Sequence, residues 1–459
     1  MVATCQGKGF DPEAMMNPIL SRAGAPLTGV VAVPGDKSIS HRAALMALLA
    51  GGPCRADGWL DSADTRSSLD AVRALGAEVR LDGAALTIVP PPALPHVPLT
   101  IDCGNSGTTA RLLLGLLAGW LPAGDAAVTL TGDASLRGRP MARVVTPLLA
   151  MGADLRWEGV EGRLPVTVRG APLRGVTHEL PVASAQVKSA LLLAGLGAAG
   201  TTVVRGAAGS RDHTELLLRG LGIQVDGMGD DPAVSGPRTL PPFTLAVPGD
   251  PSSAAFFQVA AAIVPGSDVL VRGQSLNPTR IGALRVLARA GADVEVSAAA
   301  TGARGEPAGE VRVRSGALRA FTIDGLEVPT LVDEIPALAV LATQCRGRTV
   351  IGGAAELRVK ESDRLALLAR NLRLLGADIE ERSDGLVIEG PCALRGGVNG
   401  QPVVLTTAGD HRLAMAMAVA ALVADGDSAL DDEACVAVSF PGFFDVMRRL
   451  LAAGAGPRP

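Results

Sequence analysis

The strongest constraint on this chain is a unit that recurs six times. An apolar, helix-like stretch runs into a glycine, and in most copies Gly-Ala and an acidic residue lead on into a short strand. The copies centre on Gly76, Gly152, Gly222, Gly291, Gly376 and Gly454, 69 to 85 residues apart, and the last stops before its strand. Leu and Arg at three- and four-residue spacing mark an amphipathic helix, and glycine most readily takes the left-handed position that ends one. Turns such as Asp82-Gly83 and Asp384-Gly385 then start a hairpin. Each unit therefore predicts an α/β module with at least two helices and several strands. Solenoid repeats, with periods of roughly 20–50 residues, are shorter.

A second repeat groups the modules. Ala-Val-Pro-Gly-Asp-Lys-Ser at 32–38 returns as Ala-Val-Pro-Gly-Asp-Pro-Ser at 246–252, an offset of 214 residues, or about three modules. Each copy leaves a strand, turns at Pro-Gly and enters an apolar helix. Two lobes of three modules follow, and 459 residues are more than one ordinary core holds. Residues 34–247 form the first lobe. Residues 1–33, whose strand precedes the first copy, join 248–459 in the second. The chain then crosses between lobes only near Pro34 and Pro248, which permits a hinge and makes the intervening cleft the default site.

Composition removes several functions. The chain is 48% hydrophobic and 19% charged, which is globular, but only 2% aromatic with no Tyr. Its core must be Ala, Leu and Val, and it offers little for nucleobases to stack on. A net charge of −4 supplies no basic field for nucleic acid, although local Lys and Arg clusters can still bind small anions. The longest apolar run, Leu413 to Ala424, is too short for a bilayer. The first residues carry Asp11, Pro12 and Glu13 with no apolar signal core. Six scattered cysteines, without a CxxC pair or a nearby His, argue against disulfides and structural zinc. The expectation is a cytoplasmic monomer with no nucleic-acid or membrane partner, starting at Met1, Met15 or Met16.

Chemistry collects at helix starts. Gly-Asp-Lys-Ser-Ile-Ser-His-Arg at 35–42 sets Lys37, Ser38 and Arg42 where free backbone N–H groups favour an anion. The Gly-rich stretch 104–112 holds Asn105 and Gly107, and Arg137 and Arg139 precede Pro140. Ser184, Ala185, Gln186 and Lys188 open another helix, and Arg211 precedes a further one. In the second lobe, Asp333 and Glu334 front an apolar helix. Arg358, Lys360, Glu361, Asp363 and Arg364 crowd one start, and His411 and Arg412 another. Taken singly, each reads equally well as a cap or a solvated surface. As a set they share one oddity: basic residues oppose the positive end of a helix and cost stability unless an anion offsets them.

The segments GDKSISHR, GNSGTT, RPM, SAQVKSALL, RDHTE, RVKESDRL and DHRLAM, in that order between about residues 24 and 450, resemble the 3-phosphoshikimate 1-carboxyvinyltransferase (5-enolpyruvylshikimate-3-phosphate synthase) family. The resemblance implies a two-lobed inside-out α/β barrel of six modules. It implies transfer of the carboxyvinyl group of phosphoenolpyruvate to the 5-hydroxyl of shikimate 3-phosphate, with release of phosphate through a tetrahedral ketal. No metal or organic cofactor is implied, and the step belongs to chorismate and aromatic amino-acid biosynthesis. Carried over motif by motif, Lys37, Ser38, Arg42, Ser184, Ala185, Gln186, Arg211, Asp333 and Lys360 would hold shikimate 3-phosphate. Lys37, Asn105, Gly107, Arg139, Gln186, Arg364 and Arg412 would hold phosphoenolpyruvate. Asp333 would be the base and Glu361 the acid, with Lys37 sharing the catalytic work. One departure stands out: Val438 occupies a position where many members carry a Lys that contacts phosphoenolpyruvate. Two other readings are a UDP-N-acetylglucosamine carboxyvinyltransferase and a non-catalytic anion-binding paralogue. The first needs a Cys in the loop at 132–141, yet none lies between Cys103 and Cys345. The second would have lost Lys37, Asp333, Glu361 or Arg364, and all four are present.

Overall fold

The computed structural model describes residues 20–21, 24–95, 97–124, 126–298, 305–398 and 401–455. The three candidate start methionines and the acidic residues Asp11 and Glu13 lie outside them. Two separate hydrophobic cores are present. One runs from Ile39 to Val247; the other joins Leu27 and Val31 to residues 254–450.

Each core is built around three buried helices. They are Lys37–Ala47, Gly107–Trp120 and Ala185–Gly197 in one, and Pro251–Ile263, Ile335–Thr343 and His411–Ala421 in the other. They are buried on nearly every side, with mostly small and apolar residues beyond the polar first turns. Outside them lie amphipathic helices such as Ala63–Ala74 and Arg364–Leu374, and then the sheets. Helices inside and sheets outside is the inside-out arrangement. The six sheets stay separate, and none closes on itself among the described residues.

The repeat is visible in the sheets. In one module Leu99–Asp102 pairs in parallel with Ala127–Thr131, which pairs antiparallel with Val166–Arg169, next to Asp154–Trp157. Four sheets share this four-stranded plan, one has three strands, and the last, Val403–Leu405 with Ser428–Leu430, has two. The short final sheet follows from a sixth copy that ends without its hairpin. Five of the repeat glycines, from Gly76 to Gly376, have φ between 79° and 96°, as helix-ending positions demand. Gly454 differs. It lies inside the helix Phe443–Gly454, where a Cβ would run into the carbonyl of Pro26.

Small residues do the packing that aromatics do elsewhere. A Cβ at Gly115 would strike the backbone of Ala190, and one at Gly119 would sit 2.8 Å from the carbonyl of Ala194. The helices Gly107–Trp120 and Ala185–Gly197 therefore meet backbone to backbone. Gly115→Ala is expected to destabilise the protein by about 1–3 kcal/mol through this overpacking, read as a lower melting temperature by calorimetry.

The two Pro-Gly-Asp segments mark where the chain changes sides. Thr28–Ala32, before the first copy, pairs with Asp268–Ser275 in the second core's sheet. Thr244–Ala246, before the second copy, pairs with Cys54–Asp57 in the first core's sheet. Each strand thus belongs to one lobe and the helix that follows it to the other. The crossing segments run side by side, with Asp36 N donating to Pro248 O at 2.7 Å and Asp250 N to Pro34 O at 2.9 Å.

Candidate active site

Helix starts from both lobes open onto the cleft beside these crossings. Asp36 caps the helix Lys37–Ala47 by accepting from Ile39 N at 2.9 Å, which sets Lys37 and Ser38 in its first turn. Ser106 and Ser184 cap the helices carrying Gly107 and Gln186. Across the cleft, Asp363 caps the helix beginning at Arg364, and Asp410 caps the helix carrying Arg412. None of these five helices has an acidic residue in its first turn. Their free N–H groups and the adjacent cations leave a strongly anion-seeking space.

Twelve of the residues singled out in the sequence line one pocket. Lys37, Ser38, Arg42, Gly107, Arg139, Ala185, Gln186 and Arg211 come from the first lobe; Asp333, Lys360, Glu361 and Arg412 come from the second. Three others do not line it. Arg364 is buried and donates to Asp410 Oδ2 at 2.8 Å and to Glu361 Oε2 at 2.7 Å, with Asp333 Oδ1 at 3.4 Å. Asn105 accepts from Arg139 at 2.5 Å and donates to Asp133 at 2.7 Å. Ser184 is occupied as a helix cap. Val438, at the end of the 3-10 turn Ala434–Val438, does not line the pocket.

The pocket also holds Asp64 and Arg280, which lie in no motif, and Thr108 and Asp250, which lie within GNSGTT and the second Pro-Gly-Asp copy but were not singled out. Asp64 binds Lys37 Nζ at 2.8 Å. In sequence it reads as an acidic residue favourable to its own helix start, just after the cap Ser62. Thr108 accepts from Gln186 Nε2 at 2.9 Å, while Gln186 Oε1 accepts from Arg111 at 2.5 Å. Those two bonds fix which way the amide faces.

The charges of the site are paired with one another. Arg211 Nη2 lies 2.5 Å from Asp333 Oδ2, joining the lobes, with Lys360 at 3.9 Å and Arg412 at 3.7 Å from the same carboxylate. Burial works to raise the Asp333 pKa, but Arg412, Arg211, Lys360 and Arg364 together hold it well below the carboxylate range. Glu361 behaves alike: burial is outweighed by the cations Arg364, Lys37 and Arg139. Both carboxylates are therefore ionised before substrate arrives. His411 is pushed down to about 3 by burial and by the neighbouring Lys37 and Arg412 cations, so its imidazole is neutral near pH 7. Arg42 is aimed from below, with Nε on Thr214 at 2.8 Å and Nη2 on Ser189 at 2.6 Å.

Gly107 marks the tightest wall. A Cβ there would lie 3.0 Å from Arg111 Nη1 and 3.5 Å from Arg139 Nη1. Gly107→Ala is expected to raise the KM for the smaller anion roughly tenfold while leaving binding of the larger substrate nearly unchanged, as steady-state kinetics would show.

Residues 21–447 match the family model EPSP synthase (3-phosphoshikimate 1-carboxyvinyltransferase). A 3-phosphoshikimate 1-carboxyvinyltransferase of Anaeromyxobacter sp. (strain K) is 52% identical, over 96% of this chain and 97% of that protein. One of Gloeobacter violaceus is 50% identical, over 92% and 96%. Among solved structures, EPSP synthase from Acinetobacter baumannii superposes with a TM-score of 0.81 at 37% identity, covering 94% of this chain and 97% of that one.

Proposed function

From the premise that this chain belongs to the EPSP synthase (3-phosphoshikimate 1-carboxyvinyltransferase) family, we propose how its cleft divides the work. The protein is a transferase that performs the shikimate 3-phosphate carboxyvinyl transfer step of aromatic amino-acid biosynthesis, with shikimate 3-phosphate and phosphoenolpyruvate as substrates. One observation carries the division of roles. Cations from both lobes converge on two ionised carboxylates, Asp333 and Glu361.

Ser38, Arg42, Ser184, Ala185, Gln186 and Arg211 hold shikimate 3-phosphate against the first lobe. Lys37, Gly107, Arg139, Arg364 and Arg412, with Asn105 steadying Arg139, hold phosphoenolpyruvate. Lys360 lies between the two. As substrate phosphates and carboxylates draw these cations to themselves, Asp333 and Glu361 lose the charges that depress their pKa values. Asp333 then becomes basic enough to take the proton of the 5-hydroxyl as its oxygen bonds to the enol carbon. A proton from Lys37 or Glu361 goes to the methylene, giving the tetrahedral ketal. The group that gave that proton takes one back from the methyl as the C–O bond to phosphate breaks, which restores the double bond, and the proton held by Asp333 passes to the departing phosphate. The oxygen that leaves with phosphate develops negative charge where Lys37, Arg139 and Arg412 stand, which lowers the barrier electrostatically.

Supplying shikimate 3-phosphate with phosphoenolpyruvate should release one phosphate for each enolpyruvyl product. Replacing the acceptor by UDP-N-acetylglucosamine should release none. Release driven by the nucleotide sugar would overturn the reading.

A further inference from the structure

The doubled Pro-Gly-Asp motif leaves one feature that substrate binding does not use. The second copy has Pro251 where the first has Lys37, yet its Asp250 is buried at the cleft floor. The partner of both aspartates is Arg280, a side chain only 2% exposed. Its Nη2 donates to Asp36 Oδ2 at 3.2 Å, to Asp250 Oδ1 at 2.7 Å and to Ser252 Oγ at 3.1 Å. Its Nη1 lies 3.8 Å from Glu334 Oε1, and the Ser252 hydroxyl also donates to that carboxylate.

We propose that Arg280 is a positioning residue that holds the two lobes in register, so that Lys37 from one and Asp333 from the other face the same pair of substrates. This rests on the transfer reaction proposed above.

The geometry is specific to that task. Asp36 and Asp250 each cap the helix that begins the opposite side of a crossing, and Lys37 N also donates to Asp250 Oδ2 at 3.3 Å. Asp36 precedes Lys37, and Glu334 follows Asp333. One guanidinium therefore ties together both crossing points and the segment bearing the base. All three hydrogen bonds come from Nη2, while the rigid planar group holds Nη1 toward Glu334 at 3.8 Å, an arrangement that a lysine ammonium on a flexible stem reproduces less well. Burial disfavours its charge, but Asp36, Asp250 and Glu334 around it raise its pKa and keep it protonated. A buried cation set among three buried carboxylates also resists any shift that would separate them, since each would be left unpaired. The duplicated aspartate thus has a use in the second copy without a lysine beside it.

The test uses the full chain with Arg280→Lys and Asp250→Asn, the latter keeping shape and a capping oxygen. Circular dichroism establishes folding, calorimetry measures shikimate 3-phosphate binding alone, and phosphate release gives kcat. Folded variants should keep most of their shikimate 3-phosphate affinity, because Ser38, Arg42 and Ser184 lie in one lobe. Their kcat should fall about 10²-fold, the scale of an ångström-level misplacement of reacting groups. An unchanged kcat in a folded variant would overturn the proposal, as would a loss of affinity as large as the loss of kcat. Should Arg280→Lys fail to fold, Asp250→Asn decides. If the wild type itself released no phosphate from the two substrates, the assigned reaction would fail instead.

Discussion

Lys37→Ala should lower phosphate release about 10³-fold with little change in secondary structure. Lys37 stands in the first turn of a buried helix, where its ammonium serves three demands at once. It adds positive charge beside free helix N–H groups, and in the proposed mechanism it faces the anions of phosphoenolpyruvate and brings a transferable proton to the methylene. General acid catalysis alone contributes about 10²–10⁴-fold, and loss of a charge-stabilising donor adds to that. Folding should survive, because the cap is Asp36 and the side chain reaches only Asp64. Steady-state release and circular dichroism check both halves. A loss below about tenfold would remove Lys37 from the catalytic step.

Glu361→Gln should separate catalysis from binding more cleanly. Glu361 Oε2 accepts from Arg364 at 2.7 Å and Oε1 lies 4.0 Å from Arg139 Nη1, so its charge competes with phosphoenolpyruvate for both arginines. Glutamine keeps the shape and removes that competition. The KM for phosphoenolpyruvate should hold or fall while kcat drops about 10²–10³-fold, the cost of losing a proton-transfer group. A residue that merely binds substrate would show the reverse, with KM rising and kcat unchanged.

Much of this was legible in the sequence because the signals were local. Helix, glycine and strand follow one another within a dozen residues of Gly76 or Gly376, so the repeat announces itself. Cations at a helix start, such as Lys37 and Arg364, are conspicuous because they oppose the helix dipole. Asp64 could not be read this way. An acidic residue early in a helix is ordinary, and its bond to Lys37 joins helices 27 residues apart. Arg280, between Pro278 and Gly282, belongs to no recognisable pattern. Its importance comes from three carboxylates that the tertiary fold delivers, the farthest 244 residues away along the chain. Arg364 is the converse case: a motif marks it for the substrate, and the fold buries its guanidinium against Asp410 and Glu361, which no local pattern shows. Gly454 was misread in kind, as a helix terminator rather than a close-contact residue, because a missing Cβ serves both purposes.

Neither lobe is expected to hold a complete site, so the substrates should bridge the two. A crystal structure with shikimate 3-phosphate and a phosphonate analogue of phosphoenolpyruvate tests it most directly. The sugar phosphate is expected against Ser38, Arg42, Ser184 and Arg211, and the analogue between Lys37 and Arg139 of one lobe and Arg364 and Arg412 of the other. The Arg211–Asp333 pair, 2.5 Å apart in this structure, should lengthen as Arg211 turns to the ligand. Both ligands bound within one lobe, with that pair intact, would contradict it.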